Sequence, residues 1–280
     1  MRTQTTALVG ISHGTSSKRG QAVVRQLIDD VAHRLHAPGS PASPSETPPD
    51  VSSETPPKTS PGIPPASPPT VRLGHVDVQQ PDVDATLGSL PAGMGATIVP
   101  LLLSTGFHVN VDLREAMQNL TRPATLCRAL GPDGRLTELL AHRLGEIGAD
   151  PDRDIIILGA AGSSDGSAVR DCETAAAMLG SHLGVEVHES YLSFAQPSVT
   201  AAVARARAEH PGRRVVVASY LLAPGYFQTL LESAGADLTA EPLLASGRPT
   251  APAQLVDLVL ERYSKAVPVP ASAPQPQEAS

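Results

Sequence analysis

Three polar residues in this sequence have the types and placement for chemistry: His13, Asp77 and His108. Two imidazoles and a carboxylate suit a divalent first-row metal of borderline softness, such as Fe2+ or Co2+, better than magnesium or calcium, which prefer oxygen ligands. Neutral imidazoles also accept protons near pH 7. Each residue alone has an ordinary explanation, since a His after a strand is often a loop residue and an Asp often a cap or turn residue. An internal repeat separates these three from the ordinary case.

Ala7-Leu-Val-Gly-Ile-Ser-His-Gly-Thr-Ser-Ser17 matches Ile155-Ile-Ile-Leu-Gly-Ala-Ala-Gly-Ser-Ser-Asp165, with Gly14 against Gly162. Val76 to Val83 matches Leu192 to Val199 on Pro81 and Pro197, and Val99 to His108 matches Ala218 to Phe227 on Gly106 and Gly225. Residues needed only for packing should recur in both halves, whereas residues doing chemistry need not. His13 then faces Ala161, Asp77 faces Ser193, and His108 faces Phe227. The candidate set belongs to the first half alone.

The matched runs are apolar strands ending in Gly/Ser turns. Between them the apolar spacing changes to three and four, as in Val24, Leu27, Val31, Leu35 and in Val169, Cys172, Ala176, Leu179, Leu183, which predicts helices. Strands alternating with helices imply right-handed crossovers and a mainly parallel sheet, so each half is expected to be a small α/β sandwich. The three candidates fall at or near the carboxyl ends of strands, the edge where open α/β sheets bind ligands, and so converge on one cleft. Leu136 to Ile147 reads as a helix joining the halves and Pro252 to Tyr263 as a closing helix.

Composition narrows the rest. Twelve of the 28 prolines fall in 38–69, with ten Ser or Thr, and four more in the last fourteen residues, so neither stretch offers enough apolar surface to offset its ordering entropy. The expected organisation is an N-terminal unit over 1–148 carrying the site, with 38–69 a disordered insertion. A C-terminal repeat over 153–265 lacks the two histidines, and 266–280 is a disordered tail. A formal charge of −7 argues against a nucleic acid partner, and no run reaches the roughly 18–20 apolar residues of a membrane span. Cys127 and Cys172 suit buried sites in a reducing compartment, so a cytoplasmic protein is expected.

Other motifs carry less. Gly159-Ala-Ala-Gly162 with Ser163 and Ser164 would leave backbone N–H groups open for a phosphate, but it fits neither the dinucleotide fingerprint nor the P-loop, and a tight turn explains it. His13-Gly14 is similar to the Arg-His-Gly start of histidine phosphatases, yet Ser12 stands in place of the Arg that stabilises phosphoryl charge. His33, His36, His142, His182, His188 and His210 read as surface residues; His75, two before Asp77, is kept as a possible neighbour of the site.

At these residues the chain resembles the sirohydrochlorin chelatases of the CbiX/SirB type, ATP-independent class II chelatases. The likeness rests on Ile11-Ser-His-Gly-Thr15, on Asp77 with Pro81, and above all on Pro100-Leu-Leu-Leu-Ser-Thr-Gly-Phe-His-Val-Asn-Val-Asp112. It implies two similar α/β domains facing across a cleft, here in duplicated single-chain form, which predicts a monomer with an internal pseudo-dimer. It implies insertion of Fe2+ or Co2+, with iron favoured, into sirohydrochlorin on the way to sirohaem or cobalamin. The metal would be a substrate, with no permanently bound cofactor. On this resemblance His13 and His108 hold the ion and accept pyrrole protons, Asp77 neutralises charge or relays protons, and Asp112 orients His108. Because the tetrapyrrole carries many carboxylates, Lys18, Arg19 and Arg114 are the candidate substrate cations. A metal or tetrapyrrole carrier without turnover is the rival reading, and a histidine-phosphatase-like hydrolase the more distant one.

Overall fold

A computed structural model of the chain describes residues 6–37, 70–106, 113–118, 120 and 122–266. The Pro-rich segment 38–69, the tail from 267, His108 and Asp112 lie outside the described residues. Two four-stranded parallel sheets form the frame. The first contains β1 (Ala7–Ser12), β2 (Val71–His75), β3 (Ala96–Pro100) and β4 (Ala124–Leu126) in the order β2-β1-β3-β4. The second contains β5 (Ile155–Ala160), β6 (His188–Tyr191), β7 (Val215–Tyr220) and β8 (Leu238–Thr239) in the order β6-β5-β7-β8. The helices are α1 (Lys18–His36), α2 (Val83–Gly88), α3 (Leu113–Gln118), α4 (Gly134–Glu146), α5 (Gly166–Leu183), α6 (Val199–Glu209), α7 (Tyr226–Glu232) and α8 (Ala253–Ser264). None of these is long and apolar enough to cross a membrane.

Strand alternation sorts the core into layers. On β1, Leu8 joins a central cluster while Ala7, Val9 and Ile11 face outward onto Val83 and Leu87 of α2. The second sheet repeats this, with Ile156 and Leu158 facing the centre and Ile157 facing Val199 and Val203 of α6. The central cluster draws buried residues from both sheets and from α1, α4, α5 and α8, so the two sheets share one apolar interior. Cys127 and Cys172 sit in it, and burial pushes their thiols up to about 11 and about 12. Both are buried, packed residues.

The helices that close the two halves are exchanged. Along the chain α4 ends the first half, yet it packs on α5 and β7 of the second; α8 ends the second half, yet it packs on α1 and β3 of the first. Residues 148 to 153 thus mark the passage between sheets, while each packed unit borrows a helix from the other. A buried arginine fixes each exchange. Arg143 on α4 donates to the carbonyls of Pro242 (3.2 Å) and Leu243 (2.8 Å), just past β8. Arg262 on α8 donates to Ala129 (3.2 Å) and Leu130 (3.0 Å), just past β4, and to Asp133 Oδ2 (3.1 Å). The two are only 3% and 6% exposed. Burial draws the Arg262 guanidinium below its ordinary value, against the pull of Asp133. Burial would raise Asp133, but Arg135 and Arg262 override it and hold this carboxyl at about 2.

Removing either guanidinium strands two buried carbonyls, so Arg143→Met and Arg262→Met should each lower the unfolding free energy by roughly 2–4 kcal/mol in urea titrations. Asp133 contributes stability that is complete above its unfolded value near 4 and is lost as pH falls toward 2. Asp133→Asn should therefore flatten the acid limb of stability measured between pH 4 and 2.

Candidate active site

The strand ends of both sheets meet around a cavity of about 570 Å3. Its walls come in equivalent pairs: Ser12–Ser16 after β1 with Ala160–Ser164 after β5, and the segment after β3 with that after β7. These walls are pinned across the halves. Ser167 Oγ donates to Thr105 O (2.7 Å), the Thr105 N–H donates to Asp171 Oδ2 (2.6 Å), and Tyr220 OH donates to Leu103 O (2.9 Å). In return Gly20 of α1 lies so close to Pro224 O that a Cβ there would collide with it. Ser17 and Asp165 cap α1 and α5 at the same point of each turn.

His13 follows β1 directly and lines the cavity, half-buried. Its carbonyl accepts the Asp77 N–H (3.0 Å), which ties the two turns together. Asp77 itself is exposed outside the lining, with Oδ1 accepting the Val78 N–H (2.7 Å). Lys18, Arg19 and Arg114 are exposed and do not line the cavity. Among the described residues the lining holds no Asp, Glu, Lys or Arg, and no cluster of three or more His, Cys, Asp or Glu could hold a metal. His33, His36, His142, His182, His188 and His210 are exposed.

His75 is the last residue of β2, buried to 2%, with Nδ1 2.8 Å from Ser12 Oγ. It backs the residue beside His13 and does not share a face with Asp77, because the chain leaves the strand after His75. Burial, and then Arg25, lower its pKa below the ordinary 6.5. The repeat places Tyr191 at the position of His75; its hydroxyl is buried at the cavity wall with no protein partner.

The turns after β2 and β6 share a geometry that pattern reading did not single out. Val78 and Phe194, matched by the repeat, have φ of 58° and 60°, and each is spanned by a hydrogen bond from the next N–H to the preceding carbonyl: Gln79 to Asp77 (2.5 Å) and Ala195 to Ser193 (2.7 Å). These are γ-turns with positive φ at the centre, a rare and strained form, and for a β-branched Val the conformation is a true outlier. Gly14 and Gly162, at φ 94° and 88°, press against the same carbonyls of Asp77 and Ser193, where any Cβ would collide. The signal available was an apolar residue at the same loop position of both halves.

Because folded His75 is held below 6.5, its burial favours the fold fully only above that pH, and this contribution is lost as pH falls through the lowered value. His75→Phe should reduce the fall in urea midpoint between pH 6.5 and 5 relative to wild type.

The chain matches the model of the CbiX family over residues 65–147 and 155–266, one match to each half. It is 33% identical to a sirohydrochlorin ferrochelatase of Priestia megaterium over 141 residues, 47% of this chain and 53% of that protein, so the match spans about half the length of the relative. Among solved structures it is similar to SirB from Bacillus subtilis with Fe3+ (TM-score 0.67, 18% identity, 92% of this chain and 93% of that one). It is also similar to the sirohydrochlorin chelatase SirB from Bacillus subtilis subspecies spizizenii in complex with cobalt (TM-score 0.60, 16% identity, 92% and 93%). At these identities the structural likeness is one of fold. The two family matches cover well over half of the sequence, and the chain belongs to the CbiX family as a duplicated member.

Proposed function

We propose that this chain inserts a divalent first-row metal, Fe2+ by preference and Co2+ as the alternative, into sirohydrochlorin without ATP. The observation that carries the reading is the cavity between the duplicated halves, with His13 on one wall and no fixed charge in its described lining. Family membership and the ferrochelatase relative support the same chemistry, and the relative's name favours iron.

Insertion exchanges two pyrrole N–H protons for one M2+, so the site must strip water from the ion, hold it over the ring and take away two protons. His13 and His108 are assigned to the ion and to the first acceptance of protons. Asp77, exposed beside the His13 turn and tied to it through the backbone, suits transfer of protons to solvent better than direct ligation. With no fixed charge in the described lining, the cavity suits the apolar body of a macrocycle, and the ring's carboxylates would lie toward its mouth. Exposed Lys18, Arg19 and Arg114 would then meet those carboxylates only outside the cavity.

The test is the anaerobic absorbance of sirohydrochlorin against time with Fe2+, Co2+ or no metal. Wild type should accelerate loss of the free-base spectrum, with His13→Ala and His108→Ala slower by about 100-fold or more and Asp77→Asn by less. Tight binding of metal or tetrapyrrole with no rate above the uncatalysed reaction would make the protein a carrier.

A further inference from the structure

Among the described residues four large apolar side chains are exposed, Val78, Phe194, Tyr226 and Phe227, and all four line the cavity that holds His13. Phe194 is 83% exposed and Val78 59%. A phenylalanine held at positive φ on a γ-turn, packed against little, gains nothing for the fold. Tyr226 and Phe227 open α7 with ring centroids 6.0 Å apart and planes tilted by 44°.

The repeat makes the two walls chemically unequal. His13 is replaced by Ala161, His108 by Phe227 and Val78 by Phe194, so at these positions the second half is apolar or aromatic, while Ser193 in place of Asp77 stays polar and Phe107 stands where the second half has Tyr226. A disc with two faces can take up an ion only if one face is left open. The other face can be covered at no cost to the chemistry, and aromatic rings cover a conjugated macrocycle well.

We propose that the second half is the holding wall. Phe194, Tyr226 and Phe227 carry the face of the macrocycle turned away from the ion, and the short Val78 keeps the His13 face clear. This rests on the chelatase reading and assigns the duplicated half a task of its own, ring binding separated from metal handling.

Metal-free sirohydrochlorin is titrated anaerobically into the full chain and followed by its own fluorescence, and Co2+ alone is titrated by calorimetry. Phe194→Ala should weaken ring binding about tenfold and Phe194→Ala with Phe227→Ala about 100-fold, with Co2+ affinity within twofold of wild type and an unchanged Tm. His13→Ala should do the reverse, weakening Co2+ and leaving ring affinity within threefold. Val78→Phe should retain ring binding and slow insertion. Ring affinity within twofold of wild type in the double variant, or a parallel loss of Co2+ binding, overturns the division between walls while leaving the chelatase reading intact. A wild type that does not bind the ring overturns that reading and this inference together.

Discussion

Two guanidinium groups shut away from solvent hold the halves of this molecule inside one another. A buried arginine presents five N–H donors and cannot shed its charge, so it is tolerable only where acceptors are already arranged around it. Arg143 and Arg262 find them at the same place in each repeat, the carbonyls just past the edge strands β8 and β4. With those contacts made, α4 and α8 lie across the opposite halves and the central helical layer is complete. The loops after β3 and β7 then rest on the starts of α5 and α1, and the cavity walls acquire fixed positions. The site is therefore a product of the exchange, since each wall touches an element of the other half.

Much of this frame is legible in the sequence, for identifiable reasons. Buried parallel strands are continuous apolar runs, and Leu8-Val9-Gly10-Ile11 and Val215-Val216-Val217 stand out against the polar turns that follow them. The spacing Val24, Leu27, Val31 marks the buried face of α1 because it returns once per turn. What periodicity does not contain is the identity of the partner. The apolar stripe of α8 says that one face is buried and is silent on whose sheet buries it, so its docking on α1 and β3 could be learned only in three dimensions. Arg143 and Arg262 look like ordinary surface cations in sequence for the same reason.

At the site, comparison of the halves was the informative tool. His13 lies on the cavity wall because it follows a strand internal to its sheet; that it follows a strand is readable from the repeat, whereas the place of that strand in the sheet is not. The side-chain directions of Asp77 and His75 were not, because the chain leaves β2 at His75 and bends through the γ-turn one residue after Asp77. The alternation expected of a strand stops there, so two residues two apart end in different environments, one buried against Ser12 and one in solvent. The cations nearest in sequence likewise point away from the cavity, since the first turn of α1 turns Lys18 and Arg19 outward while Gly20 and Val24 face in.

The exchange of helices also bears on how the cleft moves. Two-lobed proteins commonly admit a ligand by rotating their lobes about a hinge, which needs an interface that can part or shear. Here parting would pull α4 and α8 from the sheets they cover and expose two charged groups' worth of broken hydrogen bonds, so the lobes are geared together. The exposed side chains of Val78, Phe194, Tyr226 and Phe227 sit on the turns and the helix start that rim the cavity, so adjustment to a bulky guest is expected there. A vessel built this way would keep its walls at constant spacing and vary only its lip, which favours guests that deform over guests that must be gripped.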